Sequence, residues 1–518
     1  MSVIGIRAQV DDSGRRLHLP TERIIRNTHI PNSLPSEGAR AVRNISYVGI
    51  SQIVSMLLSI GTVAILARIL TPEDYGIIGV GAVLMALFTG IQDFGILPSV
   101  VQRDTRIEDS ISVGITLRVI IAGLILGGVV AASPLLSDFF TNPAIPLVVM
   151  VMCVNLFVAV AGFPSQVVIT RSLRFSNLAI AGSLQAIATS SVSITLAILG
   201  FSYWSVVFGS IFGTIVLVAC LIRFQKASLR PKVEVPLMKD LLGFGSHLLL
   251  ISLMGFVIFG IDQIIVARVL GVAVLGVYFV AAKLGRTFGE QMATAVSKVL
   301  FPTMSRMKDD LERLRASSIQ TIRMISILAV PTSLGLSALS PLFVRFVLGE
   351  SWVEAIVPVA IISFQGLAQS LILPIAHVIY SVGKPRYISI QAVIQGLLIV
   401  TLTYPVAVAF GINGVCLLTT LLSLAVLVYS IVIMAMILRT KLTEIVRPLI
   451  PSYVSGIVMF AILFVLCAVL PGGILTLVFL AALGLALYMI MLHILSGGRD
   501  IRDFFTLVRG LLPGRSRS

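Results

Sequence analysis

Charge is what this chain has least of. Asp, Glu, Lys and Arg make up 12% of its 518 residues, about half the ~25% of an ordinary soluble domain. The four cysteines, Cys153, Cys220, Cys416 and Cys467, stand far apart in apolar stretches. They show neither paired nor metal-ligand spacing, which excludes a disulfide framework and a metal centre. The sequence contains no Gly-x-x-x-x-Gly-Lys-Ser/Thr loop, no His-Glu-x-x-His, no Gly-x-Ser-x-Gly and no Asp-x-Asp. Nucleotide hydrolysis and covalent catalysis therefore have no residues to work with, and the expectation is a non-enzyme without a bound cofactor.

What fills the chain instead is apolar: 57% of residues. A single soluble core stops growing near ~250 to 300 residues, so the excess would face water. Lipid is the solvent that accommodates it. A span needs ~20 apolar residues to cross ~30 Å of hydrocarbon, and fourteen stretches qualify: 45–67, 76–100, 112–133, 145–164, 178–199, 203–222, 241–266, 272–296, 324–343, 355–380, 388–409, 412–437, 448–470 and 474–495. The expected fold class is an all-α polytopic membrane protein.

The net charge of +15 suggests nucleic acid only until its distribution is examined. With loops alternating between sides and residues 1–44 inside, inside segments hold 32 of the 38 Lys and Arg, and outside loops hold only Arg68, Arg268 and Arg345. Basicity is topology here, by the positive-inside rule, and no nucleic-acid partner is implied. Both termini are expected in the cytoplasm. Residues 1–44 carry seven arginines without an apolar core, so they read as a flexible tail and not as a cleavable signal. The longest outside loops surround Asn142 and Glu350, the longest inside loop runs from Ser297 to Arg323, and none is large enough for a soluble catalytic domain.

An internal repeat organises the spans. Ile65-Leu66-Ala67-Arg68-Ile69-Leu70 returns 200 positions later as Ile265-Val266-Ala267-Arg268-Val269-Leu270. Gly76, Val80, Ala82 and Leu84 return as Gly276, Val280, Ala282 and Leu284, and Ser133-Pro134-Leu135 pairs with Ser340-Pro341-Leu342. An even number of spans per repeat gives both halves the same orientation, related by an axis along the membrane normal. The expected organisation is a tail (1–44), an N-lobe (45–222), a linker (223–240), a C-lobe (241–437), two appended spans (438–495) and a tail (496–518). A cavity between lobes would suit a large polar substrate. Pro331, Pro374 and Pro405 sit inside spans, as bending points or as static packing.

Ionisable groups within spans cost ~2.5 to 3.5 kcal/mol each on insertion scales and usually line a cavity. Six occur: Asp93, Arg118, Asp262, Lys283, Arg286 and Glu290. The last three are separated by three and four residues and share one helical face. Two readings stand: an Arg286–Glu290 ion pair that merely packs, or a Lys283–Arg286 cationic patch for an anionic substrate, with Glu290 tuning it or taking up a proton. Arg118 suits substrate contact or snorkelling toward the interface, and Arg68 and Arg268 read as interfacial anchors. Asp262 and Asp93 are candidates for proton or sodium coupling or for paired structural acids. His247 and His377 suit helix-to-helix hydrogen bonds. Gln52, Gln365 and Gln369, with Asn155, Gln185, Gln391 and Gln395, suit a sugar-binding cavity or ordinary interhelical glue.

Longer motifs carry a resemblance. Ala67-Arg68-Ile69-Leu70-Thr71-Pro72-Glu73-Asp74-Tyr75-Gly76, followed by Asp93-Phe94-Gly95 and Val101-Gln102-Arg103, resembles the opening of Wzx-type polysaccharide flippases of the multidrug/oligosaccharidyl-lipid/polysaccharide superfamily. Leu300-Phe301-Pro302-Thr303-Met304-Ser305-Arg306, Gly349-Glu350-Ser351-Trp352 and Gly383-Lys384-Pro385-Arg386 are similar to recurring elements of the same family. The likeness covers roughly residues 40–440. It implies movement of an undecaprenyl-pyrophosphate-linked oligosaccharide across the bacterial inner membrane by alternating access between lobes. It also implies membrane lipids, a polysaccharide polymerase and export machinery as partners, Lys283 and Arg286 as pyrophosphate contacts, and a lipid-tail groove at the last two spans. The competing readings are a cation-coupled drug exporter, whose cavity would be acid-dominated, a lipid II flippase, and a membrane polysaccharide polymerase. The short outside loops disfavour the last.

Overall fold

In hydrocarbon every backbone N–H and C=O must find its partner within the protein, which leaves helices as the natural state of long apolar runs. The described residues contain helices and turns and no strand. The computed structural model describes residues 54–500 apart from 229 and 307–309, together with Arg502; the side chains of His247, Phe288, Glu290 and residues 292–306 are not included. Residues 1–44, Gln52 and most of the C-terminal tail thus lie outside the described residues, as does the Glu290 carboxylate.

The first half comprises α1 (Val54–Ala67), α2 (Pro72–Asp93), α3 (Ile96–Gln102), α4 (Ile107–Ala131), α5 (Ser133–Phe140), α6 (Ala144–Met152), α7 (Val154–Arg171), α8 (Phe175–Ile198) and α9 (Trp204–Phe224). The second half comprises α10 (Val235–Phe259), α11 (Ile261–Leu270), α12 (Val272–Arg306), α13 (Leu311–Phe343), α14 (Ile356–Ser381) and α15 (Arg386–Ile437). A short α16 (Leu442–Val446) leads to α17 (Ile450–Val469) and α18 (Ile474–Ser496).

Local chemistry sets the breaks. Thr71 and Asp74 form a reciprocal capping box at the start of α2, with Pro72 at its first position, where a missing N–H costs nothing. Phe94 and Gly95 both adopt left-handed backbone angles and separate α3 from α2. Helix α15 is 52 residues long, ~78 Å at 1.5 Å per residue and more than twice the hydrocarbon thickness. Gly411, at φ 61° and ψ −154°, divides it into the expected spans 388–409 and 412–437.

Eleven helical stretches among the described residues are long and apolar enough to cross a membrane, the two spans of α15 counting as one. Beside them stand the shorter apolar α1 and the charge-bearing α12. Two expectations about loops are corrected. Residues 297–323 are mostly helix, since α12 runs to Arg306 and α13 starts at Leu311. The outside segments around Asn142 and Glu350 contain α5 and two tight helical turns, Val344–Leu348 and Glu350–Ala355.

The described residues belong to one compact unit. Its largest apolar cluster joins the two halves, packing Val63, Leu66 and Tyr75 with Val266, Leu275 and Trp352. Trp352 is fully buried; its indole N–H donates to the Ala67 carbonyl at 2.7 Å, and Tyr75 meets it edge to face at 5.2 Å. Helices α2 and α12 cross so closely that a Cβ on Gly276 would fall 1.8 Å from the Pro72 carbonyl oxygen, and one on Gly76 1.9 Å from that of Val272. Only glycine permits that crossing, and the two glycines are repeat mates. A second cluster holds α17 and α18 against α13. A third seats Leu237 and Leu241 of α10 among Ile96, Val100 and Phe163 of the first half.

Candidate functional site

Helices α2, α10, α11 and α12 meet where the halves face each other. Between them lies a cleft of about 240 Å³, lined by Ala86 of α2, Ser252 and Phe256 of α10, Gln263 of α11 and Phe279 of α12. The helix that would close it is interrupted: Gly260, at φ −131°, separates α10 from α11. The Gln263 amide nitrogen donates to the Phe259 carbonyl at 3.0 Å.

Lys283 follows Phe279 by one turn of α12 and so lies near the same face. Its side chain is exposed. Among the described residues its ammonium has no carboxylate partner.

Arg286 behaves differently. It is buried, its Nε–H donates to Gln365 Oε1 at 3.0 Å, and one terminal nitrogen lies 3.3 Å from the Tyr278 hydroxyl oxygen and 3.6 Å from the Asp262 carboxylate. The Tyr278 hydroxyl donates to Asp262 at 2.5 Å, and the Gln365 amide donates to Ser423 at 3.2 Å. Asp262 is wholly buried in the first turn of α11, where the positive end of the helix dipole favours a carboxylate. Four helices thus enclose one compensated charge centre, satisfying the rule that buried charges come paired and hydrogen-bonded. Lys283 and Arg286 are near neighbours in sequence, but the structure leaves one exposed and seals the other inside the second half.

The first half holds its own pair. Arg118 is buried, its guanidinium 2.8 Å from Asp93 and 4.9 Å from the Phe163 ring centroid. Asp93 keeps 37% of its side chain exposed. Arg118 does not snorkel: a carboxylate and an aromatic face within reach replace the interface as its polar surroundings. The neighbouring Gln92 amide donates to the Leu156 carbonyl at 2.9 Å.

Of the amides, Gln365 belongs to the buried centre, Gln369 is half-buried on α14, Asn155 donates to Ser210 at 3.2 Å, and Gln391 donates to Gln395 at 3.1 Å. Arg68 and Arg268 differ from the anchors expected of them. Arg68 Nε–H donates to the Val347 carbonyl at 3.0 Å and its terminal nitrogen to that of Phe346, while Arg268 donates to the Phe139 carbonyl at 2.9 Å. Sequence reasoning also passed over Tyr278, whose polar tip in an apolar run two turns before Arg286 was the available signal.

Two further features stand apart from the residues that line the cleft. An apolar groove of about 470 Å³ lies between α13, α17 and α18, with Pro331, Met459 and Tyr488 in its wall. At the end expected to face the cytoplasm, Arg106 and Lys232 bracket Asp109 and Glu234 at 2.7 to 3.1 Å. Hydrogen bonding from Arg106, then from Lys232, holds the Glu234 carboxyl below its ordinary value, so the linker is tied to the first half by charge.

The family described as polysaccharide biosynthesis protein matches residues 65–357, more than half of the chain. The lipopolysaccharide biosynthesis protein WzxC of Escherichia coli K12 is 24% identical over 67% of this chain and 70% of its own length. The succinoglycan biosynthesis transport protein ExoT of Rhizobium meliloti is 24% identical over 62% of this chain and 65% of its own. The lipid II flippase MurJ in an inward closed conformation has a similar fold, with a TM-score of 0.70 at 14% identity over 88% of this chain and 99% of its own.

Proposed function

The chain belongs to the polysaccharide biosynthesis protein family, and from that premise we propose that it is a Wzx-type flippase. In this reading it moves an undecaprenyl-pyrophosphate-linked oligosaccharide from the cytoplasmic to the outer leaflet of a bacterial inner membrane, with both termini in the cytoplasm. The N-lobe (45–222) and the C-lobe (241–437) expose the space between them alternately to the two sides. The protein makes and breaks no covalent bond.

The observation that carries this reading is Lys283: an exposed cation one helical turn from Phe279 of the cleft, without a carboxylate partner among the described residues. An isolated charge in bare hydrocarbon costs tens of kcal/mol by Born solvation, and a hydrated, positively lined passage removes most of that barrier for a pyrophosphate. Lys283 supplies the counter-charge. Arg286 contributes indirectly, by fixing α12 through its bonds to Gln365 and Asp262. The groove between α13, α17 and α18 is the place for the lipid tail, and the names of WzxC, ExoT and MurJ support the substrate class.

Two negative charges carried outward across an inside-negative potential of ~100 mV release roughly 4 to 5 kcal/mol, enough to drive net export. Coupling to a proton or sodium gradient would add to this, and Asp93, partly open beside Arg118, is the acid placed for it. A polysaccharide polymerase and export machinery would take the product onward.

The test is reconstitution into vesicles loaded with lipid-linked oligosaccharide, with headgroup arrival in the opposite leaflet read by an impermeant glycosidase. Lys283→Ala should slow transfer by roughly tenfold, the loss of one charge-assisted contact, with normal insertion, and Lys283→Arg should retain it. Transfer by the parent no faster than in protein-free vesicles defeats the flippase reading. Parent-rate transfer by Lys283→Ala removes Lys283 from the pathway.

A further inference from the structure

Arg68 and Arg268 are repeat mates 200 positions apart. Their targets are mates as well. Phe139 lies six residues after Ser133 and Phe346 six residues after Ser340, the serines that open the matched Ser-Pro-Leu segments. Arg68, in the first half, bonds the Phe346 and Val347 carbonyls of the second. Arg268, in the second, bonds the Phe139 carbonyl of the first and stands 5.4 Å from its ring centroid. The same contact is made twice, in opposite directions.

The receiving carbonyls have a common character. Phe139 lies in the last turn of α5, and Phe346 and Val347 in the last turn before Gly349, whose φ is 112°. Carbonyls in the last turn of a helix lack intrahelical partners and carry the negative end of its dipole, so a guanidinium is their natural complement. The glycine crossing of α2 and α12 lies beside the two contacts, because Gly76 and Gly276 follow the two arginines by eight residues on each repeat.

We infer that Arg68 and Arg268 form a two-point clasp that holds the halves together at the end expected to face outward, and that opening toward that side requires both contacts to release. The inference rests on the alternating-access reading above and adds to it the residues that set the closed population on one side. Both arginines are exposed and bond neutral carbonyls, so release needs no buried charge to be uncovered. That is what a contact remade in every cycle requires.

The test uses the full chain with its four cysteines replaced and Ala86→Cys, in the cleft, as the reporter. An impermeant maleimide is applied from each side of the membrane in turn. From the clasp side, Arg68→Ala and Arg268→Ala should each raise the labelling rate on the order of five-fold, and the pair by the product of the two, as independent contacts do. Arg68→Lys with Arg268→Lys keeps the charges but loses the guanidinium fork, and should also label faster than the parent. A double alanine variant, or the lysine pair should the alanine pair fail to insert, that labels at the parent rate overturns the clasp. Labelling requires no substrate, so a chain that shows this response but moves no lipid-linked oligosaccharide sinks the flippase reading and leaves the clasp standing.

Discussion

Replacing Asp262 with alanine should be among the most damaging single changes in the second half. The carboxylate is wholly buried, accepts from the Tyr278 hydroxyl at 2.5 Å and lies 3.6 Å from the Arg286 guanidinium. Removing it takes a carboxylate away from a buried guanidinium that also bonds Gln365 and the Tyr278 hydroxyl. Breaking a buried ion pair from one side typically costs about 3 to 5 kcal/mol, and the 3.6 Å separation places this pair at the lower end. At ~2.1 cal/mol/K per residue an unfolding unit of ~450 residues loses about 1 °C per kcal/mol, so the melting temperature should fall by roughly 3 to 4 °C. With Cys153, Cys220 and Cys467 replaced by serine, Cys416 provides the assay: its thiol is fully buried beside the charge centre, so a thiol-reactive dye in detergent reports the melting of this region. Asp262→Ala combined with Arg286→Met removes both charges and should recover most of the loss. Asp262→Ala melting with the parent, or the double variant melting as low as Asp262→Ala alone, would refute the reasoning.

Two further outcomes follow from the geometry. Gly276→Val sets a side chain 1.8 Å from the Pro72 carbonyl oxygen and should cost about 1 to 3 kcal/mol by overpacking, whereas Gly123→Ala, with open space around its Cβ, should melt with the parent; equal melting of the two variants contradicts the close crossing. The Glu234 carboxyl is held below its ordinary value of 4.5, so its hold on the linker is complete above that pH and is lost as the pH falls through the lower, folded value. Protease nicking near Arg230 should therefore stay constant from pH 8 to pH 5 and rise only under stronger acid, and a rise already at pH 6 would exclude this carboxyl as the cause.

Hydropathy located the apolar helices that qualify as spans among the described residues, because lipid exposure is a property of single residues summed along the chain, but it did not locate helix ends. Lys298, Arg306 and Lys308 mark where hydrocarbon stops; α12 continues past the first of them to Arg306 because leaving the membrane removes no backbone hydrogen bond. Self-similarity exposed the repeat, and Arg68 and Arg268 with it, without revealing what they touch. Pairing across helices was the illegible part. Asp93 meets Arg118 and Asp262 meets Arg286 only once neighbouring helices have chosen their rotation about their own axes, and no i,i+3 or i,i+4 rule spans that distance. The Lys283–Arg286–Glu290 spacing correctly places those residues near one another on a helix. It could not tell which of them would face an acid on another.

The reciprocal contacts of Arg68 and Arg268 have the form of an isologous interface, in which one patch meets its own copy and each partner offers both hook and eye. Two separate copies of a single six-helix chain would meet through the same pair of bonds, with one arginine codon specifying both. Joined in tandem, the hooks become separate letters of one text. Each is then open to its own spelling, so that one side of the seam can be set to yield before the other.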